Sequence, residues 1–337
     1  MEQQNRNRQP VRRSTSRGKR RKIRYDRILI ALAILVAILT LLGSCTCSCV
    51  QCVCAPSEST STEKETDKSG AKTESTSESA TGVPITPQNA VSMTLTEEDM
   101  HKGPLVVVNE STAYQFPDDD VKLVSVYEKR NGSYSVSSID VQLDETVVNQ
   151  LNLLLSEFST IYGNDDIQVT SGYRSKLDQQ TRYSNGSSIF PGGYSDYHTA
   201  RSLDLCIYPD SGMSSYYVPS GDYAWITEHA ADFGFVVRYP DGKIDYTGVN
   251  PRAYTFHYVG MPHSAYMYKN DLCLEEYVAK LKDYPSTSPL NVDTGSAVWT
   301  VFYVELSPIG GTVINIPSCQ EYTISGDNMG GFIVAYH

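Results

Sequence analysis

Apolar residues recur along the chain in three rhythms. Residues 28–43 are almost unbroken in apolar character, and a tail of cysteine and valine carries the run to about Ala55. Further on, Val147, Leu151, Leu154, Phe158 and Ile161 fall at helical spacing between Asp144, suited to an N-cap, and Gly163, suited to a stop. Trp225, Ile226, His229 and Phe233 share one side of a second helix over 223–233 that ends at Gly234, and residues 272–281 predict a third. Alternating or β-rich runs predict strands at 105–109, 122–127, 167–170, 203–208, 235–238 and 255–259. The Ser/Gly/Asn/Pro-rich stretch 181–193 predicts a loop. Helices and strands mixed without strict alternation predict an α+β fold. From about Asn291 the texture changes to short β runs at 297–304, 313–316 and 331–336, separated by turn residues, which predicts a small C-terminal β module over 291–337.

Charge changes the picture at the amino terminus. Residues 1–27 carry 11 Lys/Arg against Glu2 and Asp26; of the 28 basic and 39 acidic residues in the chain, 17 and 37 remain for the rest. The net charge of −11 therefore hides a basic tail and a strongly acidic body. With its tail, the apolar run reaches the roughly 20 residues that cross a bilayer, and basic residues before it keep that end cytoplasmic. The expectation is a basic cytoplasmic tail over 1–27, a signal anchor over 28–55 and a body outside a single-pass cell membrane. A cleaved signal peptide and a lipoprotein signal ending at Leu42-Gly43-Ser44-Cys45 are the alternatives. Residues 56–95 are rich in Ser, Thr, Glu and Lys and nearly free of aromatics, which predicts a disordered stalk; a random coil of that length spans on the order of 30–35 Å. An acidic, exported body excludes nucleic acid as a partner, since phosphate binding needs clustered Lys/Arg.

Five of the eight cysteines cluster at Cys45, Cys47, Cys49, Cys52 and Cys54. No second ligand pair on a turn-bearing scaffold accompanies them, so lipid attachment, intermolecular disulfides or simple packing at the membrane exit is favoured over a metal site. Cys206, Cys273 and Cys319 lie far apart in apolar surroundings and read as buried thiols, with one disulfide among them open.

Candidate chemistry concentrates in two stretches. The first holds Ser171-Gly172-Tyr173-Arg174-Ser175 with Gln179, Pro191-Gly192 and Ser195-Asp196-Tyr197-His198, and runs on to Asp204. The second holds Arg238-Tyr239-Pro240, then Arg252 and Phe256-His257-Tyr258-Val259-Gly260. In this order, over roughly 105–281, these phrases resemble the D-alanyl-D-alanine carboxypeptidase-like (VanY-type, M15B) family. The resemblance implies a zinc D,D-peptidase-like core over 96–285, with a central, mostly antiparallel sheet and flanking helices. It also implies a zinc ion held by His, Asp and His, a Glu as general base on the metal-bound water, and an Arg steadying the oxyanion.

The chain departs from that pattern where the chemistry lies. Laid on Ser-x-His-x-x-Gly-x-Ala-x-Asp, it keeps Ser195 and Asp204 but has Tyr197 at the first zinc-ligand position. Laid on Glu-x-Trp-His-Phe-Arg-Tyr-Val-Gly, it has Arg252 at the general-base position and Thr255 at the last ligand position. His198 and His257 are the nearest imidazoles, so Asp204, His198 and His257 form the candidate metal set. In a strand, a shift of one residue turns a side chain to the opposite face and a shift of two moves it by nearly 7 Å. A guanidinium cannot serve as base, because its pKa exceeds about 12. Arg174, Ser195, Gln179 and Tyr173 are the candidate ligand-binding residues. Asp204 also has a structural reading, pairing with Arg201 or Arg252, while His229 and His263 read as packing residues. Tyr194, Tyr197, Tyr216, Tyr217, Tyr254 and Tyr258 suit peptide or sugar binding where they flank a groove.

The reading is a membrane-anchored, extracellular carboxypeptidase-like protein of the cell wall that binds peptidoglycan stem peptide, or a cell-surface protein, without catalysis and without a cofactor. The alternative is an active zinc D-alanyl-D-alanine carboxypeptidase.

Overall fold

A computed structural model of the chain describes residues 90–210, 212–318 and 320–337. The expected cytoplasmic tail, signal anchor, cysteine cluster and most of the stalk lie outside the described residues, as does Cys319. Among the described residues, no helix is long and apolar enough to cross a membrane.

The helix Glu145–Tyr162 begins and ends where its sequence predicts. Asp144 accepts from the Thr146 amide as N-cap, and Gly163 closes it in the left-handed region at φ 62°. Its buried face, Val147, Val148, Leu151, Leu154, Leu155 and Phe158, packs on Ile167, Val169, Leu203, Leu205, Phe235 and Phe256 of the central sheet. That sheet runs, edge to edge, Ser135–Val136, Ile167–Ser171, Ser202–Ile207, Arg252–Tyr258 and Phe235–Tyr239, with Ser215–Tyr216 added to the third strand. Only the first pairing is parallel. The fold is therefore α+β with a mostly antiparallel central sheet, as expected.

Register matters for the site. Ser202 lies opposite His257, Leu203 opposite Phe256 and Asp204 opposite Thr255. Ser171 lies opposite Asp204 from the other side, after a bulge that follows Val169. Gly172 follows at once, and a Cβ there would meet the Gln142 carbonyl oxygen at 2.3 Å, so the chain turns into the Tyr173-Arg174 loop only with glycine in that place.

Several expected elements differ. Residues 105–108 are buried, but they join no ladder. Leu105 and Val107 enter one apolar cluster, Val106 and Val108 another, so the segment alternates like a strand while lying between layers. Leu123–Ser125 is a strand paired with Gln142–Asp144, as 122–127 predicts, but Val126–Lys129 is a helical turn. The expected loop at 181–193 begins inside the helix Lys176–Ser184. Ala90–Leu95, assigned by composition to the stalk, is a strand paired antiparallel with Thr312–Pro317.

The C-terminal strands Leu290–Asp293, Val298–Glu305, Gly331–Tyr336 and Tyr322–Gly326 form a four-stranded antiparallel sheet. Val292, Val301, Ile333 and Ala335 share one apolar cluster with Leu105, Val259, Tyr277 and Val278. These strands thus complete the core over the helix Leu274–Leu281 instead of standing apart from it.

Candidate functional site: a carboxylate capped by two hydroxyls

Asp204 stands in the middle of the central sheet at the floor of an open pocket of about 670 Å³. The pocket is lined by Ser171, Arg174, Arg182, residues 186–190, Tyr216, Arg252 and Tyr254, among others. The pleat explains the floor: Asp204 and Thr255 are direct cross-strand partners, which puts their side chains on one face within hydrogen-bond reach. Thr255 Oγ1 donates to Asp204 Oδ1 at 2.7 Å, and Tyr197 Oη donates to the same oxygen at 2.7 Å. Tyr197 arrives from a 3-10 turn, Asp196–Thr199, that closes on Ala200 in the left-handed region. Burial first, and the Asp204 charge second, raise the Tyr197 phenol well above its usual range, so it stays a proton donor.

Arg174 lies over the Tyr197 ring, its guanidinium carbon 3.8 Å from the ring centre. Nη1 donates to Gln179 Oε1 at 3.2 Å and Nη2 to Ser171 Oγ at 3.3 Å. Gln179 is itself fixed, since its amide nitrogen donates to the Phe190 carbonyl at 2.7 Å and to Ser188 Oγ at 2.8 Å. Arg252 lies 5.7 Å from the Phe190 ring centre and 5.5 Å from that of Tyr239. Burial, then the charges of Arg182 and Arg252, lower the pKa of Arg174.

The candidate residues divide sharply. Arg174 and Asp204 line the pocket, and Gln179 holds Arg174 from behind without lining it. Tyr173 is half-buried and outside the lining, its amide donating to the Gln142 carbonyl at 2.8 Å. Ser195 is fully buried, with an Oγ that meets no hydrogen-bond partner.

The metal set does not assemble. His198 Nδ1 lies 2.6 Å from the Arg174 carbonyl, and its Nε2 takes the Gly193 amide at 3.0 Å, so both nitrogens are occupied. His257 faces Asp196 Oδ2 at 2.7 Å and the Pro104 carbonyl at 3.1 Å, and it is entirely buried. The register places it opposite Ser202, not Asp204. Among the described residues, no three His, Cys, Asp or Glu side chains converge to hold a metal ion.

Other expectations divide in the same way. Arg201 is not the partner of Asp204; it forms a buried two-pronged pair with Asp120 at 2.8 and 3.0 Å. His229 is half-exposed, stacked on Trp225 at 4.4 Å and paired with Asp232, instead of buried in the core. His263 is fully buried against Tyr277 Oη at 2.8 Å. Cys206 and Cys273 are free thiols, and Cys206 borders the pocket. Arg182 was missed. Its only signal is that it is the one charged residue in 181–193.

Behind the pocket, Arg238 forms a two-pronged pair with Glu275 at 2.7 and 3.0 Å. Its Nε lies 3.1 Å from Asp196 Oδ1, near enough for charge pairing though not aligned as a hydrogen bond. Burial pushes the Asp196 carboxyl up, but Arg238 and His257 outweigh it and hold the group well below the usual carboxylate range.

Comparison with known proteins agrees with this frame. Residues 140–261 match the VanY family, D-alanyl-D-alanine carboxypeptidase. A D-alanyl-D-alanine carboxypeptidase of Enterococcus faecium is 28% identical over 253 residues, covering 74% of this chain and 80% of its own length. The vancomycin-resistance D,D-dipeptidase VanXYg, solved with a D-Ala-D-Ala phosphinate analogue, superposes with a TM-score of 0.64 at 26% identity, over 73% of this chain and 98% of its own. The D,D-pentapeptidase VanY of a VanB-type cassette, solved with Zn(II), is 24% identical with a TM-score of 0.40, over 52% of this chain and 98% of its own.

The α+β fold resembles that of a solved D,D-dipeptidase. Through residues 140–261 the chain is similar to the VanY-type D-alanyl-D-alanine carboxypeptidase family.

The residues present do not fit zinc. Two of the three ligand positions hold neutral hydroxyls that direct their protons at Asp204, where a metal would need lone pairs. Three cationic guanidiniums border the same space.

Proposed function

We propose that this chain is a membrane-tethered, extracellular member of the family that binds peptide without hydrolysing it, with peptidoglycan stem peptide as the ligand. One observation carries the reading: Tyr197 and Thr255 both donate to Asp204 Oδ1, so the carboxylate that would hold a metal is engaged by hydroxyl protons. Arg252, in the same pocket lining, can neither accept a proton from water nor tolerate a nearby divalent cation. What remains is a pocket with a fixed guanidinium, Arg174, whose planar fork suits a carboxylate, and a stacked tyrosine pair, Tyr216 and Tyr254 at 4.3 Å, suited to the neighbouring peptide. The tether rests on the sequence of residues 28–55.

The test uses the full chain purified in detergent. A peptide ending in D-alanyl-D-alanine is expected to bind by calorimetry, with no terminal D-alanine released and well under one equivalent of zinc in the protein. Chelator-sensitive release of D-alanine from a preparation holding one equivalent would overturn the proposal.

A further inference from the structure

The pocket carries more positive charge than one terminal carboxylate requires. Arg174, Arg182 and Arg252 line it against a single acid, Asp204, in a chain whose formal net charge is −11. Two of these cations have no acid of their own: among the described residues the Arg182 and Arg252 side chains make no hydrogen bond or ion pair, and Arg252 has only the Phe190 and Tyr239 rings beside it. Arg174 by contrast is held by Gln179 and Ser171, which take two of its five N–H donors.

The cations also occupy separate seats. Arg174 rests on Tyr197, in the loop after the Ile167–Ser171 strand, while Arg252 rests near Phe190 and Tyr239, at the start of the Arg252–Tyr258 strand. Along that strand Arg252 stands three residues before Thr255, the residue that faces Asp204, across a break in the ladder register. Arg174 and Arg252 thus form two cationic poles of the pocket that Asp204 also lines. A single compact anion would meet one pole; two carboxylates on one residue can meet both.

Building on the peptide-binding reading, we infer that the pocket selects peptides whose last residue carries a second carboxylate, an aspartyl or glutamyl terminus. Arg174 takes one carboxylate, and Arg252 with Arg182 takes the other. The acid lost from the position of Arg252 has thus been exchanged for the feature that sets ligand choice.

The experiment measures binding of the full chain in detergent to three acetylated tetrapeptides, identical except for a last residue of Ala, Gln or Glu, with each last residue supplied in both hands. Glu and Gln are nearly isosteric, so their ratio isolates the charge. The Glu peptide of one hand is expected to bind at least about tenfold more tightly than its Gln counterpart, the scale of one charged hydrogen bond. In Arg252→Gln and Arg182→Gln, the Glu-to-Gln ratio should fall toward one. Equal binding of Glu and Gln peptides by the unaltered chain, or a preference for Ala, would overturn this inference while leaving the peptide-binding reading in place. Failure of all the peptides to bind would overturn both.

Discussion

Gln179 Oε1 accepts from Arg174 Nη1 at 3.2 Å, and Gln179 is itself completely buried. An inner-layer amide thus sets the angle of the one guanidinium that lies on Tyr197. Gln179→Leu removes that acceptor and leaves the Phe190 carbonyl unpaired. We expect peptide affinity to fall by about three- to tenfold and stability by about 1–3 kcal/mol. Calorimetry and urea denaturation on the same preparation measure the two separately, and unchanged affinity would show that Gln179 does not position Arg174.

Restoring imidazoles should restore metal. Tyr197→His with Thr255→His frees Asp204 from both hydroxyl donors and supplies two nitrogens facing it from the same positions. The double variant with Arg252→Glu is expected to bind close to one equivalent of zinc, measured by elemental analysis after dialysis, where the unaltered chain binds little. If the triple variant folds, by circular dichroism, and still takes up no zinc, the pocket differs from a zinc site by more than these three residues.

The Arg238 network should be costly to break. Arg238 is fully buried between Asp196 and Glu275. Arg238→Met strands two carboxylates away from water, and the expected loss is about 3–5 kcal/mol in urea denaturation. A loss under 1 kcal/mol would mean that water reaches this network.

Acid should weaken the fold before carboxylates titrate. Burial lowers the His263 ring to about 3, against about 6.5 in an unfolded chain. Between those values the unfolded chain holds a proton that the native one lacks, so stability rises with pH across that window, by up to about 1.4 kcal/mol per unit, and is complete above about pH 6.5. Burial lowers His198 as well, which acts in the same direction. The depressed Asp196 carboxyl adds a further loss below about pH 4. Denaturation midpoints at pH 7, 5.5 and 4 should fall in that order, and His263→Phe should flatten the upper part of the slope.

Leu151→Ala tests the main core. Leu151 is 1% exposed in the layer between the long helix and the central sheet, and truncation of such a side chain costs about 2–5 kcal/mol. Denaturant titration at neutral pH checks the value.

Much of the frame was legible along the chain. Asp144 and Gly163 bound their helix because capping is local chemistry, decided within three or four residues. Gly234 ends the helical run before Phe235–Tyr239 at φ 85° for the same reason. The family phrases, and the replacements Tyr197, Thr255 and Arg252 within them, are also properties of position alone. Less legible was the segment 105–108, whose alternation is real but serves two apolar clusters and no ladder. Alternation reports only that two sides are buried. Nor could periodicity show that the C-terminal strands share a core with Tyr277 and Val259, because that contact joins residues far apart in sequence.

The amino-acid sequence by itself determined which residue types stand at each position, and so that Tyr197, Thr255 and Arg252 stand where the resemblance implies two ligand imidazoles and a general base. Tertiary structure alone decided what the replacements do. Strand register sets Thr255 rather than His257 against Asp204, and loop closure brings Tyr197 to the same oxygen. Folding also buries both histidines on other partners and gathers Arg174, Arg182 and Arg252 around one acid. The physical reason is that a side chain's face follows from its own strand, whereas its partner follows from how strands and loops are set against one another.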